Sequence, residues 1–350
     1  MELQFLGTSA GTPTNSRNVS GLALKKAHSK SWILVDCGEA TQHQLLHTSL
    51  SLSRLTAICI THVHGDHCYG LPGLLASASL MGRTAPLIII GPPELQTWLQ
   101  VTFQLTQVTL SYELKFIDVA SLTAPLTLPE FSVTPWPLSH RVPCFGYEFV
   151  ETGMARRLNK AKLWADHIRS GPVWGQLQRG ESVTLSDGRN ICSDDYLLAA
   201  RAPRKIIIAG DNDDPTLLSA CAKSAQLLVH EATYTQEVAD KVAGSAKPDP
   251  QHSSASLIGE FAQKMGLPNL ILSHFSPRYQ AFGCGLRVSQ IEQEARKHYA
   301  GRLFLAEDLA RYRLDALGRL SSAHTGSHAE SNTDLSTGTS KRNVPGKIPI

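Results

Sequence analysis

Residues 62–67 read His-Val-His-Gly-Asp-His. Three imidazoles and a carboxylate in so short a run suit neither a core segment nor idle surface. They are the nitrogen and oxygen donors that zinc and its first-row neighbours take. The spacing divides them. His62 and His64 are two residues apart, so an extended backbone can turn both toward one ion. Asp66 and His67 follow Gly65, whose missing Cβ lets the chain bend sharply and aim this pair elsewhere. The run therefore offers two half-sites, and each needs a further ligand from distant sequence.

The run follows Ala57-Ile58-Cys59-Ile60-Thr61, which reads as a buried strand, and precedes Gly70-Leu71-Pro72-Gly73, which reads as a turn into a helix. A loop at the carboxyl end of a buried strand is held firmly yet stays open to substrate. Three further segments share this grammar. The alternating stretch 131–138 ends before His140, the β-branched stretch 205–209 ends before Asp211, and 269–272 ends before His274. The remaining pattern predicts strands at 2–6, 19–24, 32–36, 57–61, 87–90, 114–118, 145–150, 226–229, 303–306 and 309–314. It predicts helices near 39–48, 71–81, 93–104, 215–223, 233–242, 254–265 and 286–299. Repeated strand–helix units with ligands at strand ends predict a layered α/β fold. Residues 244–251, with two prolines, form a predicted loop that could lie over the site.

The HxHxDH run, a later His, a Gly-Asp and a final His together resemble the metallo-β-lactamase superfamily. The resemblance implies a four-layer αββα sandwich with an inserted arm. It implies one metal held by His62, His64 and His140, a second held by Asp66, His67 and His274, and Asp211 bridging both. Further motifs resemble the ribonuclease Z family of tRNA 3′-processing enzymes, in its ribonuclease BN type. These are Phe5-Leu6-Gly7-Thr8-Ser9-Ala10-Gly11-Thr12-Pro13 with Arg17-Asn18, Asp36-Cys37-Gly38-Glu39-Ala40-Thr41-Gln42, His230-Glu231-Ala232-Thr233, His252-Ser253-Ser254 and Ser276-Pro277-Arg278-Tyr279. The resemblance covers residues 1–314. Two positions depart from the family: Asn212 stands where Thr is usual, and Asn15 where Lys is common.

The implied cofactors are two divalent ions, best matched by zinc, with manganese and cobalt as alternatives. Two cations a few ångström apart can ionise a bridging water and clamp both the attacking and leaving oxygens of a phosphodiester. Asp66 is the implied proton acceptor, and His252 oriented by Glu231 is the candidate donor to the leaving oxygen. Ordinary roles stand beside these: His252 as a helix-entry residue before the capping Ser253 and Ser254, and Glu231 as a buried hydrogen-bond acceptor. The implied reaction is endonucleolytic removal of the 3′ trailer of precursor tRNA, with 3′ exonucleolytic trimming also within the family's range. Other hydrolysis by the same metal cassette, of small phosphodiesters or lactones, and a non-catalytic RNA-binding scaffold are the rival readings.

With 42% hydrophobic and 18% charged residues the chain has the composition of an ordinary globule. It has no 18-residue apolar run and no signal-peptide pattern, which leads to a cytoplasmic expectation. Seven scattered cysteines without a Cys-x-x-Cys pair read as reduced and mostly structural, Cys68 beside a ligand included. The net charge of +3 is too small to mark a nucleic-acid binder, so local charge has to carry that role. Residues 151–202 lie between two ligand-bearing strands, hold no ligand, and carry Arg156, Arg157, Lys160 and Lys162, then Gly171, Pro172 and Trp174. The resemblance implies that this segment is an arm gripping tRNA away from the metals. Arg17 and Arg278 complete the expected RNA contacts. One nuclease domain is expected over residues 1–317 and a disordered tail over 318–350. The resemblance further implies a homodimer.

Overall fold

The central strands are apolar on both faces, so side chains pointing alternately to either side build three stacked cores. The computed structural model describes residues 1–154, 156–245, 248–280 and 285–323. Strands β1 (Glu2–Gly7), β2 (Gly21–Lys25), β3 (Trp32–Cys37), β4 (Leu55–Cys59), β5 (Leu87–Gly91) and β6 (Leu114–Asp118) start the first sheet. Strands β7 (Leu126–Thr127), β8 (Phe131–Leu138) and β9 (Cys144–Glu151) start the second. After a small ribbon of β10 (Val183–Thr184) and β11 (Asn190–Ile191), strands β12 (Lys205–Ile208), β13 (Leu227–Glu231), β14 (Asn269–Ser273) and β15 (Arg302–Leu305) complete it. Strands β16 (Arg311–Leu314) and β17 (Leu320–Ala323) return to the first sheet, whose order is β17-β16-β1-β2-β3-β4-β5-β6. The second has the order β15-β14-β13-β12-β9-β8-β7. Both are mixed, with β3 to β6 and β12 to β15 parallel and their other pairings antiparallel.

Ile33, Val35, Ala57 and Cys59 of the first sheet meet Val133, Phe149, Ile206 and Ile208 of the second in a core between the sheets. The alternate residues point outward, as strand geometry requires. Leu34, Ile58 and Ile89 pack under helices α1 (Thr41–Leu46), α3 (Leu71–Leu80) and α4 (Glu94–Thr106), and a short helix α2 (Gly65–Cys68) lies in the ligand loop. Ile207, Leu228 and Leu270 pack under α7 (Ser219–Ala222), α9 (Ala255–Met265) and α10 (Val288–His298), with α8 (Gln236–Ala243) beside them. Three stacked cores give the expected αββα sandwich.

The two sheets are stitched together at one edge. Tyr147 Oη donates to the Ile60 carbonyl at 2.7 Å and Phe145 N to the Thr61 carbonyl at 3.0 Å. A Cβ on Gly210 would fall 2.7 Å from Cys144 Sγ and 2.9 Å from the Phe145 carbonyl, so this close approach requires glycine before Asp211.

Residues 152–204 leave the second sheet between β9 and β12. They hold α5 (Lys160–Ala165), α6 (Pro172–Gln178), the β10–β11 ribbon and a small core of Leu163, Ile168, Leu177, Ile191 and Tyr196. Their two roots are tied by a buried ion cluster. Glu151 accepts from the Arg204 backbone N–H at 3.0 Å, from Arg204 Nε at 2.8 Å and from Arg201 at 2.9 Å. Burial alone would raise the Glu151 carboxyl, but these hydrogen bonds outweigh it and hold it well below the usual carboxylate range.

Three expectations are corrected. The tail does not begin at residue 318: Leu320–Ala323 pairs with β16, because Leu320 buries its side chain and takes an N–H bond to Asn269 Oδ1 at 3.1 Å. Residues 324–350 lie outside the described residues. The helix expected from 233 begins at Gln236, since Thr233 and Thr235 stay with the site and with Tyr279. Gly65 opens α2, where a Cβ would fall 2.3 Å from the Tyr69 ring, so the constraint there is a packed aromatic ring. Among the described residues six cysteines are free, all buried except Cys192, and no helix is long and apolar enough to cross a membrane.

Candidate metal centre

At the stitched edge the ends of β4, β8, β12, β13 and β14 point the same way, and each delivers polar side chains. His62 Nε2 lies 3.1 Å from His64 Nδ1, which lies 3.1 Å from His140 Nε2. Asp211 Oδ2 closes this group at 3.7 Å from His62 Nε2 and 3.8 Å from His140 Nε2. The other oxygen of Asp211 faces a second group: Oδ1 is 3.4 Å from His67 Nε2 and 3.4 Å from His274 Nε2. Asp66 Oδ2 joins it at 3.4 Å from His67 Nε2 and 3.3 Å from His274 Nε2. The seven side chains predicted from sequence thus converge into two adjacent clusters that share Asp211.

The opposite nitrogen of four imidazoles is fixed, which leaves Nε2 bare toward the centre. His67 Nδ1 donates to Asp36 Oδ2 at 2.8 Å, and His140 Nδ1 donates to the Gln251 carbonyl at 3.0 Å. His62 Nδ1 donates at 3.0 Å to Thr61 Oγ1, whose hydroxyl donates to Asp36 Oδ2 at 3.0 Å. His274 Nδ1 donates at 3.0 Å to Thr233 Oγ1, whose hydroxyl donates to Glu231. Two carboxylate–hydroxyl–imidazole relays therefore aim one ligand in each cluster. Asp36 and His274 both sit at positive φ, 59° and 58°, a backbone cost that recurs at functional sites.

Three carboxylates, Asp36, Asp211 and Glu231, are buried within this one edge, and a fourth, Asp66, is partly buried beside them. Burial would raise the Asp66 carboxyl, yet the neighbouring His67 and His274 hold it well below its ordinary range. His67, despite its own burial, is driven well above the usual histidine value by Asp211, Asp66 and Asp36. A site that draws positive charge so strongly, with bare Nε2 atoms and nitrogen–oxygen donors, fits a pair of divalent cations.

Beyond the ligands, His252 Nδ1 lies 3.0 Å from Glu231, and Glu231 also accepts from Asn212 N at 2.7 Å. His252 is held above its ordinary value, to about 9, because Glu231 and Asp211 outweigh the burial that would lower it. The Gly11 backbone N–H donates to Asp66 Oδ2 at 2.7 Å. The loop that begins at 244 reaches the site through the Gln251 carbonyl, with residues 246 and 247 outside the described residues.

The chain is 52% identical to ribonuclease Z of Marinobacter nauticus over 316 residues, 90% of this chain and 97% of that one. The chain belongs to the ribonuclease Z family. Ribonuclease BN of Cronobacter sakazakii is 40% identical over 287 residues, covering 81% of this chain and 92% of its own. Among solved structures, human tRNase Z, short form, superposes with a TM-score of 0.60 at 27% identity, covering 89% of this chain and 98% of that one. The metallo-β-lactamase fold protein YhfI of Bacillus subtilis has a TM-score of 0.58 at 19% identity over 89% of this chain and 98% of its own, a likeness of fold. A family model for the anti-Pycsar protein Apyc1 matches residues 1–111.

Within this ribonuclease Z frame, the expected RNA contacts divide. Arg157, Lys160, Gly171 and Pro172 are exposed on the inserted segment. Lys162 is exposed as well, with Nζ 4.6 Å from the Tyr196 ring centroid. Arg156 pairs with Asp194 and bonds the Leu197 carbonyl at 2.9 Å, so much of its guanidinium is already used. Trp174 is not the exposed ring expected: its Nε1 donates to the Ile168 carbonyl at 3.2 Å and its ring packs on Trp164, which is the exposed one. Arg17 is also a correction, being buried with its guanidinium bonded to the Tyr279 carbonyl and set over Phe275. Arg278 is exposed and lies over Tyr234, whose ring faces His252.

Asp36 and the two threonines went unassigned in the sequence reading, although a strand ending in Asp carries the same signal that marked Asp211. Asp36→Asn keeps the shape and removes the charge that aims His67, so metal affinity should fall by about 10–100-fold. Chelator competition on the folded variant measures this, and an unchanged affinity would count against the relay.

Proposed function

We propose that this chain cleaves the 3′ trailer from precursor tRNA as a two-metal endonuclease. The observation that carries this reading is the shared Asp211 between two imidazole clusters, with the Glu231–His252 pair at the same edge. His62, His64 and His140 would hold one ion, Asp66, His67 and His274 the other, and Asp211 both, with zinc the best match to the donor set. Bound there, two divalent ions supply water ionisation and charge stabilisation at the phosphate. The chain's own groups handle the protons. As the water oxygen adds to phosphorus and the bond to the departing ribose oxygen breaks, Asp66 accepts the water's proton. It is aimed by the Gly11 N–H. His252, held by Glu231, gives a proton to the departing oxygen.

The names of the relatives, ribonuclease Z and tRNase Z, support RNA as the substrate. We further propose that the inserted segment of residues 151–202 is the tRNA grip. Arg157, Lys160 and Lys162 would contact the phosphate backbone there, with Trp164 in place of Trp174 as the exposed aromatic, and Arg278 would contact the strand near His252. A homodimer would let the segment of one subunit serve the site of the other. It is supported by exposed Leu80 and Met81 at the end of α3 and Val101 and Leu105 on one face of α4.

Three outcomes are expected. A precursor tRNA with a 3′ trailer should be cut once by the zinc-loaded chain, and a chelator or Asp66→Ala should abolish cutting while circular dichroism stays unchanged. Full cutting under either condition would end the reading. Deleting residues 153–198 should depress tRNA processing far more than hydrolysis of a small phosphodiester, and equal losses would count against the grip. Sedimentation should give the mass of two chains, and the double change Val101→Glu, Leu105→Glu that of one. A wild-type monomer would refute the dimer.

A further inference from the structure

Asn212, where the family usually has Thr, is fully buried and engages every polar atom it has. Its backbone N–H donates to Glu231 Oε1 at 2.7 Å, and its carbonyl accepts from Ser253 Oγ at 2.6 Å. Two backbone N–H groups, those of Ser139 at 3.1 Å and Asp214 at 3.3 Å, converge on one side-chain atom. Only an acceptor can stand there, so that atom is Oδ1. The amide nitrogen Nδ2 is then left facing His230 Nε2 at 3.1 Å. His230 is buried, and its Nδ1 lies 2.8 Å from the Glu231 carbonyl, which only accepts. The ring proton therefore sits on Nδ1, and a bare Nε2 accepts from the Asn212 amide. No flipped amide or other tautomer satisfies all of these contacts.

Most contacts of Asn212 land beside a site residue. Ser139 precedes His140, Ser253 follows His252, Glu231 holds His252, and Asp211 is the preceding residue. A reciprocal bond from Asp213 N to the Ser139 carbonyl at 3.1 Å closes the same turn. The orienting contacts of the Asp66–His67–His274 cluster run instead through Asp36, Gly11 and Thr233, and none of these meets the Asn212 side chain.

We propose that Asn212, locked by His230, is a positioning residue that sets His140 against Asp211 and thereby governs the metal position of His62, His64 and His140 alone. This rests on the two-metal reading above. A threonine offers one hydroxyl oxygen, enough to accept from Ser139 N but with no second atom for His230. The amide adds a strut that ties the β8 turn to β13.

The test is chelator competition on the full-length zinc-loaded protein, read as equivalents of zinc released and independent of activity. Wild type should hold two equivalents. In Asn212→Ala one equivalent should become about 10–100-fold weaker while the other keeps its midpoint, and Asn212→Thr should recover most of the loss. Two unchanged equivalents, or equal weakening of both, would overturn the proposal. If Asn212→Ala does not accumulate as folded protein, His230→Phe removes the strut alone and must weaken the same single equivalent by the smaller amount that Asn212→Thr leaves unrecovered, the other keeping its midpoint. A wild-type chain holding no zinc would instead overturn the two-metal reading, a result distinct from any of these.

Discussion

Four carboxylates, three of them buried, converge at one sheet edge, and the concentration of their charge is the constraint on which the rest of this structure depends. Burying even one carboxylate without a partner costs several kcal/mol. Here the compensation is graded. Asp36 and Glu231 are hydrogen-bonded by Thr61, Thr233, His67, His252 and the Asn212 backbone, so their charge is spent on orientation. Asp66 and Asp211 face the centre itself, with imidazole nitrogens at 3.3–3.8 Å. Those nitrogens are aimed to share a cation and cannot neutralise the carboxylates alone. The site is thus a scaffold whose charge balance a pair of bound metal ions would complete, which would couple metal binding to its rigidity.

That demand explains the architecture. A cluster drawn from five strand ends holds its geometry only if the two sheets keep a fixed relation. The Tyr147–Ile60 and Phe145–Thr61 bonds, and the glycine forced at position 210, set that relation at the ligand edge. The inserted segment obeys the same logic at a distance. It carries a small core of its own, so it holds its shape, while Glu151, Arg201 and Arg204 tie its roots to the second sheet. The grip on RNA proposed for it would be of use only if its position relative to the site is held, and a buried ion cluster at the root supplies that restraint.

The ligands and the layers were legible in the sequence for one reason. Each ligand follows a strand whose apolar period is strong, so chemistry and position are written next to each other. Orientation was not legible, because it depends on contacts across the chain. Asp36 meets His67 across 31 positions and Thr233 meets His274 across 41, and nothing local marks either pair. Side-chain exposure failed for a related reason. A tryptophan in a polar, glycine-flanked stretch reads as exposed, yet Trp174 belongs to a core assembled from four separate pieces of the insertion. Arg17 reads as a surface cation, yet the loop of residues 8–18 is pinned by Asp308, which accepts from Thr8 Oγ1 at 2.7 Å and Asn18 N at 2.6 Å, and this folds the guanidinium inward. In the final hairpin, Leu320 looked too isolated in a polar stretch to have a partner strand, and its partner lies only six residues upstream, in Leu314.

Glu231 shows why such a centre is hard to alter piecemeal. One carboxylate serves three neighbours: His252, the Thr233 hydroxyl that aims His274, and the backbone of Asn212. A carboxylate has about four acceptor positions, so a change at Glu231 would release His252, His274 of the second cluster and the turn after Asp211 together. Asp36 is shared in the same way between His67 and the Thr61 relay to His62, which binds the two clusters to one another. The Asn212 side chain lies outside both shared carboxylates, reaching the β8 turn, His230 and the Asp214 backbone N–H. It is therefore a position where substitution can adjust one cluster while the shared network stays in place, which a change at Asp36 or Glu231 could not do.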